Sequence, residues 1–195
     1  MKKASLPVKS AGVKVRTTTC IALLRAVNVA GRNRVRMADL RDLLSELGFA
    51  NPKSLLQSGN LIFEGDAPST ARLEGLLTEA ASARLALDTE FFVRTVQEWR
   101  AIVSANPFPS EAERDPAHLV VMLLKSVPDS GHVAALEKSV PGNETLRAGG
   151  RHLYIVYPDG IGRSRLTNAL IEQKLGIQGT ARNWNTVLKL AFLAA

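Results

Sequence analysis

The sequence is poor in the residues that build disulfides and metal sites. Cys20 is the only cysteine among 195 residues, which excludes an internal disulfide and fits a reducing compartment. Its place in an apolar run favours a buried side chain over a reactive thiol. The three histidines, His118, His132 and His152, lie far apart, and no histidine, cysteine or acidic residue has metal-ligand spacing. The sequence therefore predicts no metal and no cofactor.

The long apolar run that a membrane span needs is also missing. The longest runs, such as HLVVMLL at 118–124, fit buried strands and fall short of the roughly 18 residues that cross a bilayer. Pro7 and several lysines interrupt the first residues, so we expect no signal peptide. These observations favour a cytoplasmic protein with no membrane partner.

Acidic residues are absent from residues 1–16, which hold five of the 25 basic residues. The whole chain has a net charge of +7, so the remainder carries only +2. With 46% hydrophobic and 22% charged residues, the composition is typical of a folded globular protein. We interpret residues 1–16 as a basic flexible tail before the folded part.

The spacing of apolar residues predicts the order βαββαβ in the first half of the chain. The predicted elements are a strand at 17–25, a helix at 36–48, a hairpin at 54–65, a helix at 69–87 and a strand at 89–94. Gly48 is a left-handed helix terminator. In the hairpin, Gly59 supplies the positive φ of a turn that Asn60 tolerates. A helix at 95–105 then leads to the second half.

The same order begins again after the proline-rich segment 106–116. The predicted elements are a strand at 118–125, a helix at 129–139, a hairpin at 143–158, a helix at 164–176, and a few extended residues with a final helix in 177–195. We therefore predict an α+β fold of two tandem ferredoxin-like βαββαβ modules with antiparallel sheets, at 17–106 and 107–195. One face of each sheet needs a cover, either the other module or a second copy of the chain.

Five segments of the chain follow a known family pattern. They are LLRAVNVAGRNRVRM (23–37), QSGN (57–60), NPFP (106–109), SRLTNALIEQKLG (164–176) and TARNWNTVLKL (180–190). In this order they resemble the bacterial family called domain of unknown function 1697, from about residue 18 to the C-terminus. The resemblance implies tandem ferredoxin-like modules and brings no established reaction. The family pattern begins LLRGINVGG, and this chain has Ala26 and Ala30 where glycines are usual.

The segment before the first predicted helix carries positive charge and no acid. Asn28 allows a tight turn there, and Arg32, Arg34 and Arg36 follow at every second position. Helix starts present free N–H groups and a partial positive charge, which favour a phosphate or a carboxylate. The segment therefore indicates an anion site. The alternative is a solvated loop whose asparagines bond its own backbone.

The segment TARNWNT at 180–186 is interpreted as a second helix start, with Thr180 as N-cap and Arg182 in the first turn. The alternative is an amphipathic terminal helix anchored by Trp184. Together the two helix starts suggest that this bacterial protein binds a small anionic ligand, phosphorylated or nucleotide-like. The expected binding residues are Arg25, Arg32, Arg34 and Arg182 for charge, with Asn28, Asn60 and Asn183 for hydrogen bonds.

Two other functions stay open at this point. The basic tail favours non-specific nucleic-acid binding through phosphate contacts, and the uncovered sheet faces favour a structural homodimer. Base stacking of the RNA-recognition kind is not predicted, because GRHLYIVYP at 150–158 lacks the required aromatic pattern. No motif predicts an enzymatic reaction, and Ser58 lacks the G-x-S-x-G context of a hydrolase nucleophile.

Overall fold

The same arrangement of strands and helices occurs twice along the chain. The computed structural model describes residues 17–28, 33–66, 69–140 and 142–195. The first module contains β1 (Thr17–Leu24), α1 (Met37–Glu46), β2 (Ala50–Leu55), β3 (Asn60–Asp66), α2 (Thr70–Leu85), β4 (Phe91–Thr95) and α3 (Val96–Ser104). After α4 (Pro109–Arg114), the second module contains β5 (Leu119–Leu124), α5 (Ser130–Lys138), β6 (Thr145–Ala148), β7 (His152–Val156), α6 (Asn168–Leu175), β8 (Gly179–Asn183) and α7 (Trp184–Leu193).

Each module forms a four-stranded antiparallel sheet with its first strand in the interior. The strand orders are β2-β3-β1-β4 and β6-β7-β5-β8. Equivalent strands also share one register, since Ile21 of β1 pairs with Arg94 of β4, and Val121 of β5 pairs with Arg182 of β8. The structure confirms the predicted α+β fold of two βαββαβ modules.

The apolar runs of the sequence become buried strands and helix faces. All six residues of β5 are buried, as the run HLVVMLL predicts. Helix α1 buries Met37, Leu40, Leu43 and Leu44, and the chain leaves it through Gly48 at φ +86°. A left-handed glycine after a helix is the predicted terminator. No helix in the described ranges is long and apolar enough to cross a membrane.

Three apolar clusters make up the core. The outer sheet faces pack against α1 and α2 in the first module and against α5 and α6 in the second. The third cluster joins the two inner sheet faces and includes one side each of α3 and α7. Two hydrogen bonds cross it: Trp99 Nε1 donates to Val187 O at 3.1 Å, and Tyr154 Oη donates to Ile102 O at 2.7 Å. The sheet faces that favoured a homodimer are therefore covered within one chain.

Cys20 lies on β1 inside the core, where its side chain is 1% exposed. Burial, and then the charge of Glu98, raises the pKa of its thiol to about 11. A thiol with such a pKa stays protonated at neutral pH and reacts slowly. This confirms the prediction of a buried structural cysteine.

The final helix begins later than the sequence predicts. Asn183 is the N-cap of α7, and its Oδ1 accepts a hydrogen bond from Thr186 N at 3.1 Å. Thr180 and Arg182 lie on β8, because that strand stays paired with the central strand β5 up to Asn183. The helix therefore begins within 180–186, but the prediction of Thr180 as N-cap and of Arg182 in the first turn is wrong.

Two further local features differ from the prediction. The turn between β2 and β3 has positive φ at Leu56 and Gly59, whereas Asn60 begins β3 as a buried strand residue. A Cβ at Gly59 would lie 2.6 Å from Val27 Cγ2, so only glycine lets the turn pack against the end of β1. The segment 106–116 lies between the modules as expected, but it also contains α4, which the sequence does not predict.

Candidate functional site

The residues predicted to bind a ligand do not share one pocket. Arg32 lies outside the described residues, as do residues 1–16, on which the nucleic-acid alternative depends. The others fall into three places: Asn28 and Arg34 near α1, Arg25, Asn60 and Arg182 at the junction of the modules, and Asn183 as the N-cap of α7.

The cavity at the N-terminus of α1 has a volume of about 470 Å³. Asn28 lines it, but the Asn28 amide holds the loop by donating to Val35 O and accepting from Val35 N, both at 3.0 Å. Arg36 Nη2 pairs with Asp39 Oδ1 at 2.6 Å, so an internal carboxylate already lies at the positive end of the helix. Arg34 is exposed and makes no hydrogen bond to a described residue. One arginine is thus left for a ligand there.

Arg182 uses all five of its N–H donors, and Nε and Nη2 join the second module to the first. Nε donates to Asn60 Oδ1 at 2.5 Å, and Nη2 donates to Leu24 O at 3.0 Å and Ser58 O at 2.8 Å. Nη1 donates to Thr180 Oγ1 at 3.1 Å and to the preceding backbone carbonyl. Burial lowers the pKa of Arg182 to about 10, because none of these acceptors is a carboxylate. Arg182 has no donor left for a ligand.

Arg94 is the counterpart of Arg182 in the first module. Its Nη2 donates to Leu124 O and to Arg151 O, both at 2.8 Å, and its Nη1 donates to the preceding backbone carbonyl. Leu124 ends β5 as Leu24 ends β1. Each arginine therefore fastens its own strand to the end of the other module's first strand. Arg94 Nε, however, has no acceptor among the described residues.

A buried carboxylate lies beside Arg94. Glu74 of α2 is 4% exposed, and its Oε1 accepts from Val93 N at 2.9 Å and lies 3.3 Å from Arg94 Nη1. Lys125 Nζ and Arg151 Nη1 lie 3.5 and 3.9 Å from the same carboxylate. Burial, and then the like charge of Arg151, lowers the pKa of Arg94 to about 10. Three cations from both modules therefore surround one buried carboxylate.

Arg25 bridges the modules at another point. Its Nε and Nη2 donate to the two carboxylate oxygens of Glu172 on α6 at 2.9 and 2.7 Å. Glu172 Oε1 also accepts from Gly179 N at 2.8 Å. The hydrogen bonds to Glu172 raise the pKa of Arg25. Arg25 is thus engaged in a forked ion pair between modules.

A second cavity, of about 730 Å³, lies between α3 and the hairpin of β6 and β7, and we name it the α3 cleft. Its apolar lining consists of Ala101, Ile102, Ala105, Pro107, Val127 and Ala148. Its charged lining consists of Arg94, Arg147, Arg151 and Glu98. Three arginines and one glutamate therefore line this apolar cleft, and each arginine also has a carboxylate nearby: Glu74 for Arg94, Glu137 for Arg147 and Glu98 for Arg151.

His152 also lines the α3 cleft, at the start of β7. It occupies the position that Asn60 has in β3, since His152 pairs with Leu123 of β5 and Asn60 pairs with Leu23 of β1. The two modules therefore present different side chains at one structural position. In the first module this side chain is the amide that accepts from Arg182, and in the second it is an imidazole.

The imidazole of His152 has no hydrogen-bond partner among the described residues, and its Nε2 is fully buried. The ring packs edge-on against Tyr154, with centroids 4.8 Å apart. It also lies against Gly149, where a Cβ would come within 2.5 Å of Nε2. Burial, and then the charge of Arg94, lowers the pKa of His152 to about 4. The ring is therefore neutral at physiological pH.

The second module has an equivalent cleft with different chemistry. This α7 cleft, of about 430 Å³, is lined by Leu55, Leu188, Lys189, Phe192 and Leu193. Lys189 is the sixth residue after the N-cap of α7, as Ala101 is after the N-cap of α3. Arg182 does not line the α7 cleft, whereas its counterpart Arg94 lines the α3 cleft.

The α3 cleft offers hydrogen-bond donors and apolar surface. Tyr154 Oη already donates to Ile102 O, and burial raises the pKa of Tyr154 to about 12, so this phenol does not act as a base near neutral pH. Within the ranges that the structure describes, no group of three histidine, cysteine or acidic side chains is placed to hold a metal ion. The arrangement suits binding of an anion.

The sequence and the fold place the chain among known proteins. The family model described as "Protein of unknown function (DUF1697)" matches residues 17–154, well over half of the chain. The chain belongs to the DUF1697 family. A solved structure described as that of conserved bacterial protein SP0830 from Streptococcus pneumoniae is similar, with a TM-score of 0.72 and 23% identity over 92% of this chain and 99% of that chain. This likeness shows the fold alone. No curated protein matches the chain.

Three of the five segments that carry the DUF1697 resemblance meet at Arg182. Leu24 belongs to the first of these segments, Ser58 and Asn60 belong to QSGN, and all three accept hydrogen bonds from Arg182 of TARNWNT. These three segments therefore contribute to the junction of the modules.

The sequence did not predict Arg94, Arg147, Arg151 and His152 as site residues. A signal for Arg94 was present, because FFVRT at 91–95 and GTARN at 179–183 both place an arginine one residue before a helix N-cap. For His152 there was none, since the lack of a partner for its ring depends on the fold.

Proposed function

We propose that this protein binds a small anion with an apolar body in the α3 cleft. The observation that supports this is one cavity that combines an apolar floor with three arginines and one glutamate. Small-molecule sites are usually concave and mainly apolar, carry a few placed polar groups, and often lie where domains meet. The proposal keeps the ligand class expected from the sequence and moves it from the helix starts to the junction of the modules.

The chemistry of the lining favours an anion over a neutral ligand. Arg94 is 2% exposed, and its Nε has no acceptor among the described residues. A charge-assisted hydrogen bond in such a poorly hydrated place is stronger than one at the surface. The proposal includes a location in the bacterial cytoplasm, where Cys20 would remain a free thiol.

Thermal unfolding with and without added anions tests the proposal. The probes are 2-naphthoate and decanoate, which carry one carboxylate on an apolar body. At about 100 times Kd, binding to the native state alone adds about 2.7 kcal/mol. For a chain of this size that corresponds to a rise in Tm of about 5–10 °C.

Two matched variants locate the binding. Ala101→Trp places an indole in the α3 cleft from an exposed position of α3, and we expect it to abolish the rise in Tm. Lys189→Trp makes the same change at the equivalent position of α7 and should leave the rise intact. A wild-type protein whose Tm responds to neither probe would exclude the proposed function. Loss of the response in Lys189→Trp alone would move the site to the α7 cleft.

A further inference from the structure

Arg94 and Arg182 differ in the hydrogen bond of Nε and in the side chain that accepts from Nη1, which is Glu74 for Arg94 and Thr180 for Arg182. Both use Nη1 and Nη2 on backbone carbonyls in the same way. Arg182 Nε also donates to Asn60 Oδ1 at 2.5 Å. Arg94 Nε has no such partner among the described residues, because His152 stands where the other module has Asn60. The second module therefore lacks an acceptor that the first module supplies.

The ring of His152 can supply a second donor beside Arg94. Its Nε2 is buried against Gly149 and has no hydrogen-bond partner among the described residues, neither a donor nor an acceptor. The proposal places the proton of the neutral ring on Nδ1, the nitrogen from which a bound group could accept. In this tautomer Nδ1 is a donor, as Arg94 Nε is, and both residues line the same cleft.

Building on the proposed function, we propose that the α3 cleft binds a carboxylate whose oxygens accept from Arg94 Nε and His152 Nδ1. The carboxylate supplies the acceptor that Asn60 provides in the other module. On the Arg182 side of the junction we expect no ligand at this arginine, because its five donors are satisfied within the chain.

The two donors that Arg94 and His152 offer suit a carboxylate better than a phosphate. The Nη groups of Arg94 are used by backbone carbonyls, so Arg94 cannot form the two-pronged pair that arginines make with phosphates. One N–H from Arg94 and one from His152 match the two oxygens of a carboxylate. A phosphate monoester would bring a second charge and a third oxygen to a buried place with no further donor from these two residues.

Three probes with one apolar body test the proposal by titration calorimetry near neutral pH. They are 2-naphthoate, 2-naphthyl phosphate and the neutral 2-naphthalenemethanol. We expect the wild-type protein to bind 2-naphthoate most tightly. In His152→Asn the introduced amide oxygen can accept from Arg94 Nε, so we expect affinity for 2-naphthoate to fall about 10- to 100-fold. The preference for the carboxylate over the neutral alcohol should disappear with it.

Two controls separate the outcomes. His132→Asn makes the same change at an exposed histidine of α5 and should leave affinity unchanged. Unchanged 2-naphthoate affinity in His152→Asn, with binding still blocked by Ala101→Trp, would overturn the carboxylate contact and leave the proposed function standing. Tighter binding of 2-naphthyl phosphate than of 2-naphthoate would overturn the ligand class. No binding of any of the three probes or of decanoate by the wild-type protein would overturn the proposed function itself.

The protonation of the His152 ring can be measured in the wild-type protein, so this test does not depend on whether a variant folds. Long-range ¹⁵N–¹H spectra of histidine-labelled protein report which ring nitrogen carries the proton. We expect His152 in the Nδ1–H form, and we expect its Nδ1 resonance to move when 2-naphthoate is added. An Nε2–H form, or an Nδ1 resonance that does not respond to a bound probe, would overturn the contact between His152 Nδ1 and the carboxylate.

Discussion

Arg94 and Arg182 make reciprocal hydrogen bonds across the junction of the modules. Arg94 Nη2 lies 2.8 Å from Leu124 O, and Arg182 Nη2 lies 3.0 Å from Leu24 O. Each bond joins the fourth strand of one module to the end of the first strand of the other. The internal repeat therefore extends to how the modules are joined, and it is broken where His152 replaces the amide of Asn60.

Removing Arg182 should destabilise the whole protein. Arg182→Ala leaves Leu24 O, Ser58 O and Asn60 Oδ1 without this donor at a poorly hydrated junction. We expect a loss of about 2–4 kcal/mol in the free energy of unfolding, measured by urea denaturation. Arg100→Ala, at an exposed position of α3, should change stability by less than about 0.5 kcal/mol. Equal losses in the two variants would show that the Arg182 bonds contribute nothing specific.

The two modules should unfold in a single transition, because the inner sheet faces, α3 and α7 share one apolar cluster. Trp99 reports on the first module and Trp184 on the second, and both are buried in that cluster. In Trp184→Phe and Trp99→Phe, which leave one tryptophan each, the fluorescence transition should coincide with the far-ultraviolet circular dichroism transition of the same variant. A fluorescence transition that precedes it in one variant would show modules that unfold independently.

Ala26 provides a test of local strain. It has φ +52°, where the family pattern has glycine. A left-handed conformation costs a residue with a Cβ about 1 kcal/mol more than glycine. Ala26→Gly should therefore stabilise the protein by about 0.5–1 kcal/mol. Ala83→Gly, at an exposed position inside α2, should destabilise it by a similar amount. If both changes destabilise the protein, the entropy that glycine adds to the unfolded chain outweighs the relief of backbone strain at residue 26.

The repeat of apolar patterns allowed the fold to be predicted from the sequence. Strand β5 and helix α1 follow directly from the run HLVVMLL and from leucines at helical spacing. The start of α7 was misplaced because Thr180 is a good N-cap by residue type, while pairing of β8 with β5 decides where the strand ends. The preference of Thr180 for an N-cap position was overridden by the pairing of β8 with β5. This pairing joins residues far apart in the sequence, so the segment 180–186 alone could not predict it.

The candidate site was harder to predict for a related reason. The sequence shows which residues carry charge, but it does not show which charges are already paired. Arg25 and Arg182 were expected to bind a ligand, and the fold uses their donors on Glu172 and on backbone carbonyls. Arg94 and His152 drew no attention as single residues. They are candidates because the matching strand registers of the two modules reveal a hydrogen bond of Arg182 Nε that has no equivalent at Arg94.

His152 should make the stability of the protein depend on pH. Its pKa is lowered from the ordinary value of 6.5 to about 4, first by burial and then by the charge of Arg94. The unfolded chain therefore binds a proton between these values while the native chain does not. The contribution of the neutral, buried His152 to the free energy of unfolding is therefore fully present above about pH 6.5, and it is lost as the pH falls towards 4.

We expect His152 to account for a loss of about 2–3 kcal/mol across this range. Carboxylates also titrate there, so the measurement is the difference between wild type and His152→Asn in the free energy of unfolding. Relative to wild type, the variant should gain stability as the pH falls from 7 to 4. A constant difference across this range would mean that His152 has an ordinary pKa in the native protein.

Arg34 decides between the two places where an anion has been expected. It is exposed beside the N-terminus of α1, and the sequence hypothesis gives it a direct contact with the ligand. The α3 cleft is lined by other residues, so Arg34→Ala should leave the affinity for 2-naphthoate within about twofold of the wild-type value. Arg147→Gln removes a charge that lines the α3 cleft and should weaken binding by about 2- to 10-fold.

Both affinities are measured by calorimetry at low and high salt, because screening reduces the contribution of the exposed arginines. The reverse result, with binding lost in Arg34→Ala and kept in Arg147→Gln, would return the ligand to α1, where Asp39 would have to release Arg36 to admit it.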